Sequence, residues 1–174
     1  MSTPFTYTSA AGTTTGILNA AVYNDGGTLD FYYQVINDPG SSDTIERETN
    51  SSFQTFTTNA AYRTDGASLG TVFVNGTQSP ISADSDPNGK VIGFSFYPPV
   101  GTNDIAPGQA SSVLIVSTNA TNWTVGTSSV IDGGVASVAT FEPIAASTVP
   151  EPATLALLGF GLIGLAGVRR FRRG

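Results

Sequence analysis

The side chains available for chemistry in this chain are carboxylates, hydroxyls and aromatic rings. Its 174 residues include no histidine and no cysteine. That excludes Ser-His-Asp and Cys-His nucleophiles, thiolate and imidazole metal sites, and disulfides. Asp84-Ser85-Asp86-Pro87-Asn88-Gly89 matches the front half of a calcium loop, with Asp84, Asp86 and Asn88 at alternate positions and glycine at the sixth. The twelfth position, where such loops place a bidentate glutamate, is Ser95. The segment therefore reads first as a polar hairpin turn, with no metal assigned and calcium as the one cofactor its residues would allow.

Carboxylate pairs suit glycoside hydrolysis without histidine. Asp43, Glu46 and Glu48 gather around Arg47, and Asp104 and Asp132 stand in turn-like sequence. Nothing in their spacing forces two carboxyls across a cleft, so the first set reads as a solvated acidic loop and no catalytic residue is assigned. Tyr32, Tyr62, Tyr97 and Trp123 have the rings for stacking on sugars, although strand aromatics ordinarily pack into cores and edges. Gly159, Gly161 and Gly164 spell a dinucleotide-type glycine pattern, but the chain continues for only ten residues beyond it and the βαβ context is missing. Asn50, Asn75, Asn119 and Asn122 begin N-x-[ST] triplets, as expected by chance in a chain so rich in Asn, Ser and Thr.

Charge is unevenly distributed. Twelve acidic and three basic residues precede Pro150, whereas Arg169, Arg170, Arg172 and Arg173 crowd into the last six positions. An acidic body with so few cations is a poor nucleic-acid partner. Ahead of the arginines, residues 153–168 form an uncharged run with apolar residues all round a helix, not along one stripe. Sixteen helical residues span roughly 24 Å against a hydrocarbon core of about 30 Å, a mismatch that snorkelling arginines and local thinning accommodate. The run is expected to be a short transmembrane helix. Arginines remain on the cytoplasmic side, which places the body outside.

Just upstream lie Pro150, Glu151 and Pro152. Two prolines one residue apart hold the backbone extended and cannot lie inside a regular helix. Pro-Glu-Pro, a glycine-bearing apolar run and a terminal arginine cluster, in that order, resemble the PEP-CTERM sorting signal of Gram-negative and related bacteria. The resemblance implies that exosortase, a membrane-embedded transpeptidase-like enzyme, recognises Pro150, Glu151 and Pro152 and removes the tail. It also implies delivery to the envelope surface or an exopolysaccharide matrix, as in a biofilm. The chain is then a substrate that is membrane-anchored before processing. A Gram-positive sortase signal would need Leu-Pro-x-Thr-Gly, which is absent, and a GPI signal ends without a basic cluster. The first sixteen residues contain neither Lys nor Arg and no apolar core, so a secretory leader is expected upstream of Met1.

The body, residues 1–144, reads as strands. Leu29, Phe31, Tyr33 and Val35 share one face, and Ile92, Phe94 and Phe96 repeat that period of two. Val72 and Val74 suggest a shorter strand, and residues 113–116 a central one. Further strands are expected at 17–23, 53–58, 123–125 and 135–141, separated by turn sequences such as Asn24-Asp25-Gly26-Gly27, Pro107-Gly108 and Asp132-Gly133-Gly134. Seven to nine such strands make an all-β protein, a single β-sandwich of jelly-roll or immunoglobulin-like outline. Residues 145–149 are a linker and 150–173 the sorting signal. Segments 29–37 and 105–119 also resemble bodies found attached to this kind of tail, which implies a β-rich exported domain without known activity. Three functions follow from these residues: a non-enzymatic surface or matrix protein, a carbohydrate-binding module, and a carboxylate hydrolase.

Overall fold

The structure is a computed structural model that describes residues 1–65, 72–97 and 103–145. Ten strands are assigned among them: β1 (Ser2–Ser9), β2 (Gly12–Asp25), β3 (Thr28–Asn37), β4 (Arg47–Asn50), β5 (Thr58–Tyr62), β6 (Ser82–Ser85), β7 (Ile92–Ser95), β8 (Leu114–Thr118), β9 (Asn122–Asp132) and β10 (Gly134–Ile144). They build two antiparallel five-stranded sheets, in the orders β1-β2-β3-β8-β5 and β10-β9-β4-β7-β6. The described residues are all-β, and none of their elements is a helix long and apolar enough to cross a membrane. The expected helix at 153–168 lies outside the described residues.

Alternation positions the core. Leu18 and Ala20 on β2, Phe31, Tyr33 and Val35 on β3, and Leu114 and Val116 on β8 point inward from the first sheet. Ile92 and Phe94 on β7, Val130 on β9, and Ala136 and Val138 on β10 meet them from the second. Phe31 and Phe53 pack edge to face at 5.6 Å between centroids, the arrangement aromatic quadrupoles favour. The sheets are also tied by a polar bond, in which the fully buried Tyr33 hydroxyl donates to the Phe141 carbonyl at 2.8 Å. At the β2–β3 turn, Gly26 and Gly27 both have positive φ (62° and 103°), as a tight two-residue hairpin turn requires.

Several expected elements are placed differently. The strand expected at 53–58 begins only at Thr58. Phe53 sits in a loop between two residues of positive φ-bearing backbone, Ser52 and Thr55 being at 71° and 86°, with its ring as a core plug. Val72 and Val74 do not form a strand. The buried residue there is Phe73, while Val74 is 45% exposed. β1, whose Phe5 and Tyr7 are the only apolar inward residues among Ser and Thr, was too weakly patterned to be expected as a strand. The acidic segment around Arg47 is no solvated loop. Its second half is β4, the middle strand of the second sheet.

Loop 72–78 is held on the outer face of the first sheet by backbone bonds of Thr77 and Gln78 to residues 110–112 and by one buried side chain. Gln34 Nε2 donates to the Val74 carbonyl at 2.8 Å and to the Ser111 carbonyl at 2.9 Å, and its Oε1 accepts from the Val74 amide at 2.9 Å. Replacing it removes the partner of the buried Ser111 carbonyl and of both Val74 backbone groups at the loop's edge. Gln34→Leu is expected to destabilise the body by ~3 kcal/mol in urea denaturation, whereas Gln78→Leu, at a half-buried loop position, should have a much smaller effect.

Candidate functional site

The sorting residues Pro150, Glu151 and Pro152, the apolar run and Arg169, Arg170, Arg172 and Arg173 all lie outside the described residues. The structure does show where they attach. β10 is the edge strand of the second sheet, and it ends at Ile144, paired with Asn122, one residue after the Pro143–Trp123 pair. In sequence, residue 150 follows Ile144, the last residue of β10, by six positions.

The calcium-like segment is built as the β6–β7 hairpin. Asp84 lies on β6, and the Arg47 guanidinium reaches it from β4 across Gly93 of β7, with Nη1 and Nη2 at 2.7 and 2.6 Å from the two carboxylate oxygens. Only glycine leaves room for this crossing, since a Cβ at position 93 would lie 2.0 Å from Arg47 Nη2. That hydrogen-bonded pair lowers the Asp84 pKa and raises that of Arg47. Asp86 organises the turn, its Oδ1 accepting from the Val91 amide at 2.9 Å while its carbonyl accepts from Gly89 N. Asn88 sits at the turn's tip. Both carboxylates thus serve the hairpin. Among the described residues, no three His, Cys, Asp or Glu side chains group so as to hold a metal.

Glu48 and Asn50 alternate inward from β4 while Arg47 and Thr49 face out, so a carboxyl that looked solvated is fully buried. Asn50 Nδ2 donates to Glu48 Oε2 at 2.9 Å, and the Ser128 hydroxyl donates to Asn50 Oδ1. Burial pushes the Glu48 pKa up to about 8, against the opposing effects of Asn50, Ser128 and Arg47. At neutral pH the core therefore holds a largely protonated carboxyl. It has no path to substrate, because its residue exposure is zero.

Glu46 and Asp132, joined by Asp43 and Asp104, gather near the β9–β10 turn. Desolvation and mutual repulsion raise the pKa values of Glu46 and Asp132. Thr44 Oγ1 donates to Asp132 at 3.1 Å and Ser9 Oγ to Asp43 at 3.3 Å. Sequence spacing gave no hint of this convergence, which the fold creates by bringing residues 43–46 beside residue 132.

The aromatic candidates do not share a plane. Tyr32 lies on the outer face of the first sheet, 4.8 Å from Tyr23 and 6.5 Å from Phe73 by ring centroids. Trp123 lies on the second sheet, against Phe141. Tyr62 borders a cleft of about 520 Å³ between edge strands β5 and β6, where Ala60, Ile81, Ala83 and Phe94 also line the wall and none of the described lining residues is a carboxylate. Tyr97 is an exposed residue just beyond β7.

Taken together, these features define a β-sandwich protein with its distinctive functional sequence in the segment after the last strand. Residues 148–173 match the family model of the PEP-CTERM protein-sorting motif, so the chain carries that motif. The motif supports exosortase-dependent sorting of a surface protein. No curated protein and no solved structure is significantly similar to the chain.

The buried carboxyl makes stability depend on pH. Burial pushes the Glu48 pKa up to about 8 from the ordinary carboxylate value near 4.5, so between those pH values the folded state holds a proton that the unfolded chain releases. The stabilisation this group contributes is fully present below about pH 4.5 and is lost as pH rises toward 8. The raised pKa values of Glu46 and Asp132 act in the same direction. Glu48→Gln should flatten most of this dependence and raise the melting temperature at pH 8, as measured by thermal denaturation across pH 4–9.

Proposed function

We propose that the chain is a non-enzymatic protein of the cell surface or extracellular matrix, delivered by its C-terminal signal. The observation that carries this reading is the motif match at 148–173, starting four residues beyond the end of β10. In the precursor, the apolar run 153–168 spans the inner membrane of a Gram-negative-type bacterium with the arginines inside, and exosortase is the processing partner. After removal of the tail the sandwich belongs to the envelope or an exopolysaccharide matrix, with exopolysaccharide as its surrounding partner.

A non-enzymatic role is supported by the disposition of the acids. Glu48 is sealed in the core and Asp84 is held by Arg47, and the acids that do gather, Asp43, Glu46, Asp104 and Asp132, are not among the described residues lining the β5–β6 cleft. A hydrolase needs two acids facing a common substrate space.

Replacing Pro150, Glu151 and Pro152 together by alanine tests the sorting reading. The ten strands assigned among the described residues end at Ile144, so folding of the sandwich should be unchanged, and alanines favour helix over a segment that must be extended for recognition. Fractionation should find the variant retained in the inner membrane. Normal surface delivery would contradict the proposal.

A further inference from the structure

The β9–β10 hairpin has one uncharged outer face in an otherwise acidic body. From 123 to 139 the odd-numbered residues of the two strands and their turn are the more exposed ones, and none of them is charged. The two acids of the hairpin, Asp132 and Glu142, stand at even positions, on the side of the buried Ser128, Val130, Val138 and Thr140. At the end of the hairpin remote from its turn this face is also apolar. Trp123 is 48% and Val125 56% exposed, and the indole packs edge-on to Phe141 at 4.8 Å between centroids. An exposed apolar cluster of this kind marks a contact surface.

Its place along the chain identifies the contact. Trp123 pairs with Pro143, and Ile144 ends the strand. Only nine steps of chain separate Ile144 from the start of the apolar run at Ala153, a reach of at most about 30 Å. Whatever inserts from residue 153 onward keeps this end of the hairpin beside the bilayer. Tryptophan favours the headgroup level, and a face without charges loses least on leaving water. The acidic remainder of the body would be repelled by anionic lipid, so the matching surface is zwitterionic. We propose that the face of β9–β10 at the exposed Trp123 and Val125 is a lipid-contacting surface, which seats the sandwich on the zwitterionic bilayer interface while the tail anchors it. This rests on the membrane-anchored precursor proposed above.

Trp123 is the only tryptophan in the chain, so its fluorescence reports this surface alone. The full chain would be reconstituted into phosphatidylcholine vesicles, with and without brominated acyl chains, and checked by flotation. The expected result is flotation with the vesicles, blue-shifted emission, and loss of most of that emission in brominated lipid. Val125→Asp, at an exposed position, should float equally but recover the emission. Flotation with unshifted, unquenched emission would overturn the lipid surface and leave the anchor standing. Failure to float would overturn the anchored precursor and this proposal with it. A blue shift that grows with protein concentration without lipid would assign the face to a second copy and also overturn it.

Discussion

Burial between two sheets is the constraint on which the rest of this molecule depends. With 11% charged residues and no cysteine, neither ion-pair networks nor disulfides can hold the body together. Inward residues such as Phe31, Tyr33 and Phe94 must do so by leaving water. That requirement fixes register, because a slip of one residue would turn Phe31 and Tyr33 outward and bring Asp30 and Tyr32 in. It also makes the polar interior around Glu48, Asn50 and Ser128 costly, since each such group needs a partner where no water reaches it.

The charges that do exist are spent locally. Arg47 crosses Gly93 to Asp84 and joins β4 to β6 over the outer face of β7. An ion pair this exposed contributes little stability, but its bidentate geometry fixes how the short, polar β6 lies against its neighbour. The same sheet therefore has a charged outer face on its β4-β7-β6 side and an uncharged one on β9–β10. One sheet thus presents two chemically different surfaces, and the chain leaves the sandwich beside the uncharged one.

Much of the fold was legible in the sequence where apolar residues alternate against polar ones. β3 and β7 carry that pattern, β8 reads as a continuous apolar run, and Asn24-Asp25-Gly26-Gly27 and Asp132-Gly133-Gly134 mark turns between strands. β4 was not legible because its buried face is Glu48 and Asn50, the reverse of what periodicity seeks. β6, with Ser-Ala-Asp-Ser fully exposed, has no inward apolar residue larger than alanine. Phe53 and Phe73 are core and surface-packing residues supplied by loops, for which no period exists. The sorting motif was legible for the opposite reason. It is a linear signal whose proline spacing, apolar run and arginines are contiguous, whereas the meeting of Asp43, Glu46, Asp104 and Asp132 exists only once the chain has folded.

A self-contained sandwich with a separable sorting segment behind it is the central claim of this account. Its most direct test is the C-terminus of the protein recovered from the cell surface. Mass spectrometry should find chains ending within residues 149–152, with every strand through β10 retained. Surface-exposed chains that still yield intact peptides covering Arg170 to Gly174 would contradict it.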